Sequence, residues 1–343
     1  MRLFKKKPYM IAEIGVNHNG KLSLALKSIK EAAKSGADGV KFQIFKADEF
    51  MSKKKLVFCY KTKKGKKYEN MYDMFKRLEF SESWLPKIIK ECQKNNVDFL
   101  SSAADKKSAY LMKKLKVKAI KLSSEDLINY PLLEYVSTLG KNVILSTGMA
   151  NYEEIKKALS IFKKKSIKVA LLHCVSIYPV PLKNANLRRM LSLKNKFKIS
   201  VGYSDHTLGN QASIVATILG AEIIEKHFTI NKNLIGPDHL MSSNPKEFKE
   251  LVDSIKKVKL ILGSSDIKPK QLEQDFKKIY RRSITSISKI EKGEKFSLKN
   301  IALKRPANGL HPKYYSKILG TRSKFKIFKD KKVKLKDVSI KLN

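Results

Sequence analysis

Residues 199–229 read ISVGYSDHTLGNQASIVATILGAEIIEKHFT, and they contain one complete unit of the fold. Two short apolar runs, Ile199 to Tyr203 and Glu222 to Phe228, flank an amphipathic stretch from Gly209 to Leu219. The first run leads into Ser204-Asp205-His206 and the second carries Glu225-Lys226-His227. The two histidines are about twenty residues apart, the length that a strand, a loop, a helix and the next parallel strand require. Ser204 and His206 share parity, as do Glu225 and His227, so on extended strands each pair points to a single face. A single histidine at a strand end usually satisfies a hydrogen bond. Two of them, on consecutive strands and with polar companions, read as a candidate divalent-metal site.

The same unit recurs along the chain. Six further apolar runs precede it: Tyr9 to Val16, Gly39 to Phe45, Asp98 to Ser102, Ala119 to Ser123, Asn142 to Thr147 and Lys168 to Val175. Amphipathic stretches lie between the runs, among them Leu22 to Lys34, Ser83 to Asn95 and Tyr152 to Lys163. Strand alternating with helix eight times is the pattern of an α/β fold closed into a TIM (β/α)8 barrel. A doubly wound open sheet would more typically show a Gly-rich phosphate turn after the first strand, and none is present. Such a barrel takes about 250 residues, and the chain has 343. The expected division is a barrel over 1–263, a linker over 264–282 with a short helix from Leu272 to Ile279, and a compact domain over 283–343. A domain of that size is marginal alone unless it packs on the barrel or on a partner chain. The segment from Lys46 to Arg77 reads as a long basic loop on the catalytic side of the barrel.

The formal net charge of +42 raises the possibility of nucleic-acid binding. The basic residues are overwhelmingly lysine, with only eight arginines, whereas phosphate and base readers favour the arginine fork. The lysines are spread along the chain at solvent-facing helix positions such as Lys27, Lys30 and Lys34, without a recognisable nucleic-acid-binding motif. A genome-wide lysine bias accounts for this better, and neither nucleic acid nor membrane is an expected partner. No run of 18 apolar residues exists, and the start MRLFKKKPYM does not lead into a signal-peptide core, so a cytoplasmic location is expected. Cys59, Cys92 and Cys174 are widely spaced and fit neither a disulfide framework nor a CxxC motif. His173 and Cys174 are adjacent on one run and should face opposite ways.

Polar residues gather at the C-terminal ends of the runs, where barrels place their active sites. They include Glu13, Lys41 with Gln43, Ser102, Lys121 with Ser124, Ser146, Ser176 with Tyr178, Ser204 with His206, and Glu225 with His227. Helix caps explain individual serines, but they do not explain two lysines, two histidines and the glutamates. On the second run Gly39, Lys41 and Gln43 share the parity opposite to Val40, Phe42 and Ile44, so Lys41 faces the lumen and needs a counter-anion. Two inward lysines, hydroxyls, two histidines and the carboxylates Glu13, Glu225 and Asp238 suit a phosphorylated anion beside a Lewis acid. Condensation of a carbanion-like donor with an aldehyde and metal-dependent hydrolysis both fit that description.

The motifs AEIGVNHNG at 12–20, VKFQ at 40–43, NYPLL at 129–133, ILSTGM at 144–149, LLHCVSIYPVP at 171–181, GYSDHTLG at 202–209, EKHFT at 225–229, GPDH at 236–239 and KRPANG at 304–309 together resemble the sialic acid synthase family. The resemblance runs in order along essentially the whole chain. It implies a TIM barrel followed by a small C-terminal antifreeze-like (SAF) domain. The reaction it implies is condensation of phosphoenolpyruvate with the open-chain aldehyde of an N-acetylated hexosamine, giving a 2-keto-3-deoxy sugar acid and phosphate.

By the same resemblance, His206 and His227 are metal ligands for a divalent ion, manganese by analogy, with magnesium or cobalt as substitutes. Lys41, Lys121, Ser124, Ser146, Ser176 and Ser204, with Ser102, contact phosphoenolpyruvate. Gln43 and Tyr178 lie at the sugar or metal side with the catalytic carboxylates Glu13, Glu225 and Asp238, of which Glu13 or Asp238 moves protons. Arg305 matches an arginine that the SAF domain inserts into the partner's barrel, implying a domain-swapped homodimer. The chain departs from some members in having Ser176 in place of Asn, Asp126 in place of Glu and Ile235 in place of Pro. The segment MYDMFKRLEFS at 71–81 is nearer the sialic and legionaminic branch than the pseudaminic one. The competing readings are a phosphoenolpyruvate-dependent synthase acting on a phosphorylated aldose and, in another class, a lysine-rich nucleic-acid-binding protein.

Overall fold

The computed structural model describes residues 8–52, 55–63 and 65–341. The first seven residues of the basic start, and Lys53, Lys54 and Lys64 within the basic loop, lie outside the described residues. Eight parallel strands form a closed barrel: β1 (Tyr9–Gly15), β2 (Gly39–Ile44), β3 (Asp98–Ala103), β4 (Ala119–Leu122), β5 (Asn142–Ser146), β6 (Val169–His173), β7 (Ser200–Asp205) and β8 (Ile223–His227). Each strand pairs with its successor, and β8 closes on β1 with Glu13 opposite His227. Closure rules out the open-sheet alternative.

Alternation along the strands divides the core in two. Val40, Phe42 and Ile44 turn outward into the large apolar layer beneath the helices. Tyr9, Ile11, Leu100, Ala119, Ile144, Ala170, Leu172 and Ile223 form a separate apolar cluster, which packs the lumen below the mouth as side chains do in barrels of this type. One step further along the same strands, the inward positions become Glu13, Lys41, Ser102, Lys121, Ser146, Ser204 and Glu225, all buried. The apolar floor thus holds a polar layer at the C-terminal mouth.

The first helix, α1, spans Leu22–Lys34, the range its periodicity predicts, and buries Ala25, Ile29 and Ala32 as a single stripe while Lys27, Lys30 and Lys34 are exposed. The last barrel helix, Pro245–Leu262, starts from a capping box between Asn244 and Glu247, with Pro245 in its first turn. Among the described residues no helix is long and apolar enough to cross a membrane.

The segment from Lys46 to Arg77 has more structure than its composition suggests. Val57–Thr62 and Gly65–Asn70 pair as an antiparallel hairpin, followed by a helix over Met71–Leu78. Tyr60, Met74 and Leu78 pack with Val16 and Phe45 in a cluster of their own.

The chain divides into two compact units, 1–263 and 264–343. The second contains the helix Gln271–Tyr280 and an antiparallel pair, Ser283–Ser286 with Ile301–Lys304. Its core is small: Ile284, Ile290, Phe296, Ile301, Ile318 and Val333 are among the few fully enclosed side chains. It has the scale of a domain whose burial only just offsets chain entropy.

Candidate active site

The polar layer at the barrel mouth is organised around two lysines in different electrostatic settings. Lys41 Nζ on β2 lies 2.8 Å from Glu13 Oε1 and 3.8 Å from Glu225 Oε1. Glu13 Oε1 also accepts from Gln43 Nε2 at 3.0 Å, and Glu225 Oε1 accepts from Ser204 Oγ at 3.0 Å. Burial disfavours the Lys41 ammonium, but the two glutamates outweigh it and raise its pKa. Lys121 on β4 instead donates to Ser146 Oγ at 2.6 Å and to the Leu122 carbonyl at 3.0 Å. Burial lowers its pKa, with the Glu225 charge opposing too weakly to reverse the shift. Lys121 is therefore a buried cation held by neutral oxygens, the arrangement that an incoming anion completes.

The two glutamates diverge for the same reasons. Burial pushes the Glu13 carboxyl up against the pull of Lys41, and the Glu225 charge adds to the rise. Burial also opposes ionisation of Glu225, yet Lys121, Lys41 and Ser204 together hold it below the usual range. Each keeps its Oε2 buried without a hydrogen-bond partner.

Beside Lys121 is a pocket of small polar groups. Ser124 Oγ accepts from the Gly148 amide at 3.0 Å and lies 3.0 Å from Cys174 Sγ. A Cβ placed on Gly148 would overlap Ser176 Oγ and come within 2.8 Å of Ser124 Oγ and 2.9 Å of Cys174 Sγ. Glycine is the only residue that leaves this space open. Ser102 sits in register between Gln43 and Lys121, completing the β2 to β4 side of the ring.

Across the mouth, the rings of His206 and His227 are 5.4 Å apart between centroids. His206 Nδ1 lies 2.8 Å from the Val175 carbonyl. A carbonyl only accepts, so Nδ1 carries the proton and Nε2 keeps its lone pair. Burial lowers the pKa of both imidazoles, and for His227 the neighbouring His206 adds to the effect. His227 Nδ1 is buried without a hydrogen-bond partner, 3.6 Å from Asp238 Oδ2. Burial pushes the Asp238 carboxyl up to about 7, with Glu13 contributing. Tyr178 covers the pair, its ring 4.3 Å from His206 and 6.0 Å from His227.

Two neutral imidazoles, one with an orphaned buried nitrogen, fit a divalent ion with nitrogen donors. Among the described residues no three His, Cys, Asp or Glu side chains form a group able to hold a metal ion. A site built on the two histidines would thus be an open one, leaving positions for water or substrate.

The fourteen barrel residues singled out in the sequence all lie on strands or loops at this end of the barrel. Arg305 belongs to the second unit, where it is exposed with its guanidinium 5.3 Å from the Tyr280 ring. His173 points away from the lumen, meets the Ala185 carbonyl at 2.8 Å and stacks on Tyr203, while Cys174 lines the hydroxyl pocket. The two side chains thus face opposite ways, as their adjacency on one strand requires. Gly148 and Cys174 are not among the residues that the strand-end pattern picks out; a glycine two residues past the end of β5 is the signal that points to the first of them. Asn17, the polar residue that follows Glu13 at the end of the first run, has a structural part, its Nδ2 donating to the Phe228 carbonyl and to Ser242 Oγ, both at 2.9 Å.

A closed parallel barrel with a desolvated lysine, a set of hydroxyls and a neutral imidazole pair at its C-terminal mouth has the layout of a (β/α)8-barrel enzyme. Residues 28–267 match the NeuB family and residues 281–339 match the SAF domain. The N,N'-diacetyllegionaminic acid synthase of Campylobacter jejuni is 43% identical over 318 residues, covering 92% of this chain and 95% of that protein. The pseudaminic acid synthase of the same species is 34% identical, covering 93% of each. The crystal structure of N-acetylneuraminic acid synthetase from Leptospira borgpetersenii, in complex with citrate, superposes with a TM-score of 0.71 at 36% identity, covering 79% of this chain and 90% of that one. The chain belongs to the NeuB family and is an enzyme, a transferase of the synthase type.

Proposed function

We propose that this enzyme is a nonulosonic acid synthase that condenses phosphoenolpyruvate with the open-chain aldehyde of N-acetylmannosamine or a 2,4-diacetamido-trideoxyhexose. The observation that carries this reading is the placement of Lys121, a buried lysine hydrogen-bonded only to neutral oxygens, across the mouth from the His206–His227 pair. An anionic donor and a carbonyl acceptor can then occupy adjacent halves of one site. The identity of 43% to a legionaminic acid synthase, against 34% to a pseudaminic acid synthase, favours the sialic and legionaminic branch.

In the proposed reaction, C3 of phosphoenolpyruvate bonds to the aldehyde carbon and its double-bond electrons leave C2 cationic. Water adds at C2, and the tetrahedral carbon expels phosphate by C–O cleavage to leave the 2-keto acid. Lys121, Ser146, Ser124 and Ser176 bind the anionic donor, with Lys41, Ser102 and Ser204 on the same ring. Glu225 stays ionised between the lysines and offsets the positive charge that builds at C2. Glu13, with its raised pKa, and Asp238, at about 7, are placed to exchange protons with the aldehyde oxygen and the attacking water. Gln43 and Tyr178 border the sugar side. His206 and His227 would hold a divalent ion such as manganese, whose chemistry when bound is to polarise the aldehyde carbonyl.

A homodimer is part of the proposal. Met149, Ile177, Tyr178, Leu182, Leu208 and Ile235 are large apolar side chains exposed on the loops after β5 to β8. An apolar rim of this kind around a polar mouth favours coverage by a partner, and Arg305 from a partner's SAF domain is proposed to supply the last cationic contact.

The test is incubation with phosphoenolpyruvate, Mn(II) and a panel of N-acetylmannosamine, diacetamido-trideoxyhexoses and phosphorylated aldoses, following phosphate release and product mass. Turnover with an unphosphorylated N-acetylated sugar supports the proposal. Turnover with phosphorylated aldoses alone moves the enzyme to the other sugar-acid class, and inactivity toward every sugar rejects both.

A further inference from the structure

Behind the histidine pair, facing away from the lumen, lies a second buried ion pair that takes no part in the reaction drawn above. Lys226 Nζ is 2.8 Å from Asp205 Oδ2, with the two side chains 2% and 0% exposed. The residues are in register on β8 and β7, and each immediately precedes one of the histidines. Asp205 is fully engaged: Oδ1 accepts from the Thr207 amide and hydroxyl, both at 2.8 Å, and Oδ2 also accepts from Ser213 Oγ at 2.6 Å. Lys226 donates a further bond to the Thr207 carbonyl at 2.8 Å. One ammonium thus holds both chain neighbours of His206, Asp205 and Thr207, and is itself the neighbour of His227.

Stability is a weak reason for such an arrangement. Desolvating two charges largely cancels their attraction, and apolar pairs of similar volume often do as well or better. Geometry is a stronger reason. His206 Nδ1 meets the Val175 carbonyl at 2.8 Å and its Nε2 lies a long 3.5 Å from Ser204 Oγ, whereas His227 Nδ1 has no hydrogen-bond partner. With no hydrogen bond at Nδ1, and only the Asp238 carboxyl at 3.6 Å and the Tyr178 and His206 rings beside it, the position of the His227 ring depends on where the backbone at Lys226 is held.

We propose that Asp205 and Lys226 are positioning residues: their buried ion pair locks the ends of β7 and β8 at the separation in which His206 and His227 can ligate one divalent ion. This rests on the proposed metal role of the two histidines. It accounts for the cost of burying a lysine and an aspartate next to the site when nothing reactive touches them.

The test uses the full chain and Mn(II) alone, read by the electron paramagnetic resonance signal of the free ion during titration. The key variant is D205N/K226M, which removes both charges at similar volume and leaves no unpaired ion buried; H206A and H227A are the controls. The expected result is a double variant with wild-type circular dichroism, a melting temperature within a few degrees of wild type, an unchanged KM for phosphoenolpyruvate, and Mn(II) affinity weakened by about tenfold or more. A folded double variant whose Kd stays within tenfold of wild type overturns the inference. A double variant that fails to fold also overturns it, because the pair would then be holding the barrel together. Wild type that binds no Mn(II), or control variants that bind it normally, would reject the metal reading itself and the inference with it.

Discussion

Lys41 and Glu13, neighbours across the β1–β2 ladder, form a buried ion pair of 2.8 Å, whereas Lys121, on the same inner ring, bonds only to neutral oxygens. Two lysines of one barrel mouth thus have different work. Lys41 is compensated before any substrate arrives and fixes the two glutamates. Lys121 has no anion in contact, only the Glu225 charge acting at longer range, until a substrate anion binds.

The distinction predicts different signatures for the same substitution. K41M leaves Glu13 and Glu225 buried with less compensation, so it should cost about 3 kcal/mol or more in denaturant unfolding as well as activity. K121M removes a desolvated charge that has no ion-pair contact, but also one of the charges that keep Glu225 ionised, so it should cost clearly less in unfolding than K41M. It should instead raise KM for phosphoenolpyruvate about 10- to 100-fold, since a charge-assisted hydrogen bond contributes about 1.5–3 kcal/mol. Equal destabilisation by both variants would refute the distinction.

Gly148 offers a steric test of the hydroxyl pocket. An alanine methyl there would displace Ser176, Ser124 and Cys174 together, and a displacement on the scale of 1 Å costs about 100-fold in rate. G148A should therefore fold normally by circular dichroism and lose about two orders of magnitude in kcat/KM for phosphoenolpyruvate. Near-wild-type kinetics would place the donor elsewhere.

His206 and His227 should be separable from the fold. His206 meets the Val175 carbonyl at 2.8 Å and Ser204 Oγ only at 3.5 Å, and His227 Nδ1 has no partner, so truncating either costs only about 1 kcal/mol of hydrogen bonding plus some packing. H206A and H227A are each expected to abolish turnover while keeping a cooperative melt within a few degrees of wild type. Wild-type-like activity in either variant, with metal still bound, would remove that histidine from the ligand set.

The barrel was legible because each strand must satisfy two environments. Val40, Phe42 and Ile44 on one parity and Gly39, Lys41 and Gln43 on the other can only be a strand between a helix layer and a polar lumen. The requirement that Lys41 find a counter-anion is met by Glu13. What set Lys41 apart from Lys121 was not legible, because it depends on which strands become neighbours: β1 brings Glu13 beside Lys41, while Lys121 is flanked by Ser102 and Ile144. The hairpin within 46–77 left no periodic trace either. On its strand Val57–Thr62 only Tyr60 is buried, and the apolar partners come from Val16, Phe45, Met74 and Leu78. The coupling of Asp205 to Lys226 likewise requires the β7–β8 register.

His18 gives the fold a defined sensitivity to acid. It is fully buried among Phe42, Phe80 and Trp84, its Nδ1 accepts from the Gly20 amide at 3.0 Å, and burial lowers its pKa from 6.5 to about 4. Because the folded value is depressed, the unfolded chain takes up the proton first. The stability associated with neutral His18 is therefore present above about pH 6.5 and is lost as the pH falls toward 4, by roughly 3 kcal/mol over that window. Carboxylates titrate in the lower part of the same range, so the informative quantity is a difference between proteins. H18N keeps an acceptor near the Gly20 amide but cannot take up a proton. At pH 7 wild type should be the more stable of the two, and its advantage should shrink by about 3 kcal/mol by pH 4, measured by urea unfolding at matched ionic strength. An advantage that stays constant with pH would show that the His18 ring is protonated as readily in the folded barrel as in the unfolded chain.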